Sequence, residues 1–309
     1  MKKAFGLTLA SAALCASAPP GPAGLTEREL NVPGFADFLA VDGETVWTTN
    51  DGRVEQWSPE GKLASTPVPK PCGAMSVAFG SLWVANCKDG NLYRIDVATA
   101  EVQAIIPTGI GNPKGETNVV AGAGSIWVPS DGNGTIARVD PLSNAVTASI
   151  SVDPGTFFLA FGFDALWAVS SDNRTLQKIA PQTDAVVGKV TLGKQPGFLV
   201  AGEGAVWVQE QGDGTIARVQ PETLNVSGRA KVGDTLMYGD IDVGNGAVWL
   251  RTTEDQTFAV IDAQSLEILA RAGKPSGSGA IRYTRAGIWT SAHDVQTLSW
   301  WTNASSEEE

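Results

Sequence analysis

The stretch DGNGTIARVDP, Asp131 to Pro141, returns almost unchanged as GDGTIARVQP, Gly212 to Pro221. Each copy joins a turn, a strand and a stop, so the recurrence implies a repeated supersecondary unit. Working outward from it, a tryptophan preceded by an apolar residue recurs along the chain: TVW at Trp47, SLW at Trp83, SIW at Trp127, ALW at Trp167, AVW at Trp207, AVW at Trp249 and GIW at Trp289. Successive tryptophans lie 36, 44, 40, 40, 42 and 40 residues apart. The opening phrase belongs to units that are not adjacent; one unit lies between them.

Every unit has the same internal grammar. The apolar run FLVAGEG leads through a glycine turn into AVWVQ; EQGDG turns the chain into TIARV, and QPET turns it again into VSGRAKVG. Four strands in about forty residues is the pattern of a β-propeller blade. Thirty-five glycines and 17 prolines without a collagen period fit many short strands rather than helices. The expectation is an all-β, seven-bladed propeller spanning residues 24–303. A blade cannot bury both of its apolar faces alone, so the ring must close. The last unit stops after three strands, and LTERELNVPG, Leu25 to Gly34, matches the fourth-strand ending GKVTLGKQPG of Gly188 to Gly197. The N-terminal strand is therefore expected to complete the last blade.

The flanks read differently. Lys2 and Lys3 precede the apolar run Ala4 to Leu14 and a stretch of small residues and prolines, the pattern of a signal peptide over residues 1–23. Bulky Leu14 before Cys15 disfavours a lipoprotein anchor. Residues 304–309 read as a disordered acidic tail. The expected location is periplasmic or secreted, with no membrane insertion, since no later apolar run reaches the roughly 18 residues a span needs. In an oxidising compartment Cys72 and Cys87 are expected to pair, both reaching the same face of the second blade; a metal site is the alternative. A net charge of −11 argues against nucleic acid or an anionic membrane surface as partners, since both need basic patches. A monomer is expected.

Function in such a ring gathers at one mouth of the channel, where the loops entering each blade meet those leaving the tryptophan strands. The residues three past each tryptophan are Asn50, Asn86, Ser130, Ser170, Glu210, Thr252 and Ala292, mostly small and polar, and they are expected beside that mouth. The entry loops differ most among units: GIGNPKGETN carries Lys114 and Glu116, GDTLMYGDID carries Met237, Tyr238 and Asp240, and DPGTFFLAF carries Phe157 and Phe158. Those aromatics read as a pocket wall or as a plug of the channel. His293, the one histidine of the chain, follows the last tryptophan strand beside Asp294 and is either a general base or a turn residue. No GxSxG or similar nucleophile motif accompanies it.

The combination of G-S-L/I-W-V with G-T-I-A-R-V-D-P resembles the YVTN-repeat and virginiamycin B lyase-like propellers over essentially the whole chain after the leader. The resemblance implies a seven-bladed ring. For the lyase it also implies opening of a cyclic streptogramin lactone by magnesium-assisted elimination, with histidines and a glutamate near the mouth. Here the matching groups are His293 and Glu210, one of each. Two functions are therefore carried forward: an exported propeller that binds a small molecule or envelope protein at the mouth without a cofactor, with Asn50, Asn86, Ser130, Ser170, Thr252, Tyr238, Asp240 and Lys114 as contacts; or a lyase or hydrolase of a cyclic ester using His293 and Glu210, with a divalent cation such as magnesium.

Overall fold

The structure, a computed structural model, describes residues 24–112, 115–129, 132–236, 239–251, 258–272 and 278–303. The expected leader and acidic tail lie outside the described residues. Among the described residues are seven four-stranded antiparallel sheets. Six are made of consecutive strands, at residues 39–67, 76–107, 120–151, 156–191, 196–231 and 240–272, and are blades 1 to 6. Blade 7 combines the three strands of residues 281–303 with Leu25–Asn31. This first strand pairs along its whole length with Thr297–Asn303, from Leu25 opposite Asn303 to Asn31 opposite Thr297. Among the described residues no helix is long and apolar enough to cross a membrane.

Burial along each blade follows from the ring. The second strand is covered on both faces, as in Ser81–Asn86 and Ala165–Ser170, whereas the fourth strand is largely exposed, as in Ala145–Ser151. All seven repeat tryptophans are completely buried. The apolar interior is divided into seven clusters, each holding one of these tryptophans. Trp207 of blade 5 packs in one cluster with Val248, Leu250, Ala259 and Ile261 of blade 6. Trp289 of blade 7 packs with Leu39, Val46 and Trp57 of blade 1, which closes the circle. The core is thus a set of seams, and no blade owns one. Close approach sets the seam width: a Cβ on Gly122 would overlap the ring of Phe161 in the next blade, and one on Gly244 the ring of Tyr283.

The repeated phrase also fastens neighbouring blades. The basic side chain in TIARV lies opposite the tryptophan of its own blade, and the proline after the strand offers its carbonyl to the blade before. Arg138 sits over the Trp127 ring at 4.8 Å and donates to the Pro181 carbonyl of blade 4 at 2.8 Å. Arg94 does the same from Trp83 to Pro141 at 2.7 Å, and Lys178 from Trp167 to Pro221 at 2.8 Å. Arg218 reaches the Gln264 carbonyl of blade 6 at 2.8 Å. In blades 1, 6 and 7 the position opposite the tryptophan is Gln56, Val260 and Trp300. The fastener therefore ties blades 2 through 6 in series.

Cys72 and Cys87 form a disulfide with their Cα atoms 5.9 Å apart, 15 residues from each other in sequence. It pins the loop entering blade 2 to the end of that blade's tryptophan strand, where Pro71 also bridges to Asn86. Replacing both cysteines by alanine is expected to cost about 3 kcal/mol, the loop-closure value for this length. A urea titration of the double variant against the parent chain checks this, and an unchanged midpoint would show the bond to be structurally idle.

Candidate functional site

The segments at one end of the ring enclose a cavity of about 730 Å³. Its wall comes from loops of blades 1, 3, 4, 5, 6 and 7, so the ring itself is the scaffold. One part is aromatic. Phe38 from the loop entering blade 1, Phe198 from blade 5 and Phe158 from blade 4 form a chain of rings, with centroids 6.3 and 4.4 Å apart. Phe38 and Phe198 are buried, and they join opposite sides of the ring at the cavity. The aromatic residues thus form part of the cavity wall. Higher on the rim, the ring of the more exposed Phe35 stacks on the imidazole of His293, with centroids 4.0 Å apart and planes 23° apart.

The rest of the lining is polar, with three carboxylates beside Asn112, Gln211, Ser278, His293 and glycines. Asp37 comes from the loop entering blade 1, Glu116 from the loop entering blade 3, and Asp294 from the 3-10 turn His293–Val295. Burial raises the Asp37 carboxyl well above the ordinary carboxylate range, and Glu116, Asp240 and Asp294 add repulsion. Burial, and then Asp240, lifts Glu116 to about 7. Asp240 itself is buried and raised by desolvation, against the pull of Arg282, to which it is ion-paired. Burial lowers His293, and Arg251 lowers it further, against the opposing pull of Asp294. The imidazole is neutral near about pH 7. The Asp294 carboxylate lies against its Nδ1, and the His293 backbone N–H donates to Ser278 O at 3.0 Å.

Glu116→Gln follows as a test of this electrostatics. The unfolded chain releases the Glu116 proton near its ordinary value of 4.5, whereas the folded protein keeps it to about 7. Stability contributed by the protonated group is therefore complete at low pH and lost as pH rises between those values. Because the amide still loses its water, the variant is expected to be more stable by about 2 kcal/mol at roughly pH 8 and by nothing at roughly pH 4. Urea midpoints at the two pH values read this out; an equal gain at both would remove the buried charge as its cause.

The residues three past the tryptophans are placed differently from the expectation of a polar ring open to the mouth. Asn50 is buried; its Oδ1 accepts from Phe35 N at 2.6 Å and Asp51 N at 2.8 Å, and its Nδ2 donates to Pro33 O at 3.1 Å. It lines a smaller neighbouring hollow and holds the loop that carries Phe35, Asp37 and Phe38. Asn86 and Ser170 are buried; Asn86 is bonded within its own turn to Asp89 and Lys88, and Ser170 to Asn173 of its turn and to Pro154 of the loop entering blade 4. Glu210 has no exposed side-chain surface. It accepts from Arg229 Nε at 2.7 Å and Nη2 at 3.0 Å, from Thr215 at 2.7 Å and from Gly193 N at 2.7 Å. Burial pushes its carboxyl up, but these donors outweigh burial and hold it below the ordinary range.

Glu210 is absent from the cavity wall, which its neighbour Gln211 joins, so Glu210 and His293 do not share that wall. Asp240 is spent on Arg282 and two backbone N–H groups. Lys114, Ser130, Tyr238 and Thr252 lie outside the described residues. Among the described residues no three of His, Cys, Asp and Glu converge to hold a metal ion. The magnesium site implied by the resemblance does not fit this arrangement. Asp37 and Phe35 were not singled out from sequence, although a signal was present: FADFLAVDGETVW carries three residues more between its first phenylalanine and the tryptophan than FLVAGEGAVW does.

Neither family models nor curated proteins match the chain. Solved structures do. Virginiamycin B lyase from Staphylococcus aureus, in its selenomethionine form, superposes with a TM-score of 0.77 at 17% identity, over 90% of this chain and 99% of that one. This chain has the fold of virginiamycin B lyase. A catalytically inactive histidine-to-alanine variant of that enzyme, crystallised with quinupristin, matches at 0.76 and 16% identity over 90% and 99% of the two chains. A streptogramin B lyase structure matches at 0.76 and 14% over 92% and 100%. At these identities the likeness is one of architecture, and the activity has to be argued from the mouth.

Proposed function

We propose that the protein binds a small organic molecule in the mouth cavity. The observation that carries this reading is the cavity's composition: about 730 Å³, joining a chain of phenylalanine rings to carboxylates and an imidazole. That volume is in the range of sites for drug-sized ligands, and apolar walls with a few polar groups are what such sites use. Export to an oxidising compartment belongs to the same reading. A metabolite panel screened by thermal shift is the test, since a ligand at about a hundred times its Kd adds roughly 2.7 kcal/mol to stability. Ser278→Trp, at the cavity rim, is expected to abolish the shift. Absence of any stabilising molecule, or an undiminished shift in that variant, would overturn the reading.

A second reading is ring opening of a cyclic ester by proton abstraction. The neutral His293 on the cavity wall favours it, together with the inactivity of the histidine-to-alanine variant of the structurally similar lyase. Quinupristin incubated with the protein and followed by chromatography tests it. Turnover that is lost in His293→Ala supports this reading, and no turnover by the parent chain rejects it for that substrate.

A further inference from the structure

We infer that the mouth cavity is built for an organic cation, an amine or quaternary ammonium carried on an apolar body. This rests on the small-molecule reading above and adds the ligand's charge. Three lining carboxylates, Asp37, Glu116 and Asp294, come from three separate blades, and no lysine or arginine lines the cavity among the described residues. The nearby guanidinium of Arg282 is already paired with Asp240. An anion would meet uncompensated repulsion there. A neutral apolar molecule would strip water from the carboxylates and return nothing for it.

The aromatic part of the wall points the same way. Phe35, Phe38, Phe157, Phe158 and Phe198 all line this cavity, and the faces of such rings carry the negative side of the aromatic quadrupole. Carboxylates and phenylalanine rings together are complementary to a cation that is large, poorly hydrated and partly apolar. A bare metal ion asks for something else, oxygens converging at short range, and no such group is found among the described residues.

Proton linkage gives the inference a signature. Burial and then Asp240 hold the Glu116 proton to about 7, and burial, with Glu116, Asp240 and Asp294 around it, raises Asp37 well above the ordinary carboxylate range. A cation favours the ionised carboxylates, so its binding expels protons and its affinity rises with pH. The other charged groups at the site do not reverse this sign. Arg282 remains charged throughout, Arg251, which acts on His293, keeps its charge up to about pH 10, and His293 becomes cationic only at low pH, where it would weaken cation binding further.

Calorimetric titration of the intact protein with three probes of one shape is the test: para-hydroxyphenyltrimethylammonium, its neutral isostere para-tert-butylphenol, and the anion para-tert-butylbenzoate. The cation is expected to bind at least ~10-fold tighter than the neutral isostere near pH 8, with the preference falling to about 3-fold or less near pH 6. Glu116→Gln should erase the pH dependence. Phe35→Ala, at a residue 46% exposed and so tolerated by the fold, should weaken the cation by roughly 3-fold or more. Equal or tighter binding of the neutral or anionic probe overturns the charge assignment while leaving the small-molecule reading in place. If the cation binds but Phe35→Ala and Glu116→Gln leave it unchanged, it binds elsewhere and the inference fails. If no probe binds while the metabolite panel yields a neutral or anionic ligand, only the charge assignment falls; if the panel too yields nothing, both fall.

Discussion

A chain that begins at Pro33, and so lacks Leu25–Asn31, is expected to lose cooperative folding as a monomer. The missing strand fills seven register positions on the outer edge of blade 7, and the next residue, Val32, donates its backbone N–H to Gln296 O at 2.7 Å. Without it, Thr297–Asn303 becomes an unpaired edge bearing Trp300 and Trp301, a template for association with other chains. The loss spreads past one sheet. The loop that follows Val32 carries Asp37, whose carbonyl accepts from Ser291 Oγ across the seam between blades 7 and 1. A ring whose blades share their cores cannot give up one closure and keep the rest intact. The melting temperature should fall by at least ~15 °C, or the transition should vanish. A synthetic peptide of residues 24–32 supplied in trans should restore part of the loss. A truncated chain that melts like the parent would show that the ring does not depend on its clasp.

Trp207→Ala should cost about 4 kcal/mol, at the upper end of what single substitutions do. The side chain is fully buried between blades 5 and 6, and its indole N–H donates to Gly202 O at 3.0 Å. Truncation leaves a cavity facing Val248, Leu250 and Ile261 and strands a carbonyl as well. Trp47 provides the internal control. It is equally buried, yet its Nε1 has no hydrogen-bond partner among the described residues. Trp207→Phe loses a bond, whereas Trp47→Phe removes an unsatisfied donor, so the second should be cheaper by about 1 kcal/mol or more. Urea midpoints at constant slope measure both. Equal costs would mean that volume alone, without the indole N–H, sets the energy of a seam.

These two expectations draw on what the residues reveal without coordinates. The tryptophan period required seven blades, and the echo of GKVTLGKQPG in LTERELNVPG required the clasp, because both are dictated by the packing that a closed ring imposes on every unit. The mouth is a different matter. Asn50, Asn86, Ser170 and Glu210 end buried strands, and there a polar side chain is taken up by the backbone groups of the adjoining turn or loop before it can meet a ligand. Local turn chemistry therefore overrides the reading of a polar ring. Asp37 lies in a three-residue departure from the repeat, and its partner Glu116 is far away in sequence, whereas Phe38, Phe158 and Phe198 each stand nine residues before their own tryptophan. Periodicity reports what the units share, such as that phenylalanine position, and the carboxylates of this cavity come from what they do not.

The series of basic side chains opposite tryptophans ties blade 2 through to blade 6 and goes no further. Among the described residues, the polar ties at the joint between the last and first blades include a hydroxyl to the Asp37 carbonyl, the Trp289 indole to Glu44 O at 3.3 Å, and an exposed Arg28–Glu60 pair at 3.6 Å. An ion pair so open to water contributes little. The molecule is mechanically lopsided, a stiff arc finished by a softer latch, and amide hydrogen exchange should be fastest on the two lips of that latch. Phe35, Asp37, Ser278 and His293 stand on those lips, so whatever occupies the mouth also braces the weakest point of the circle.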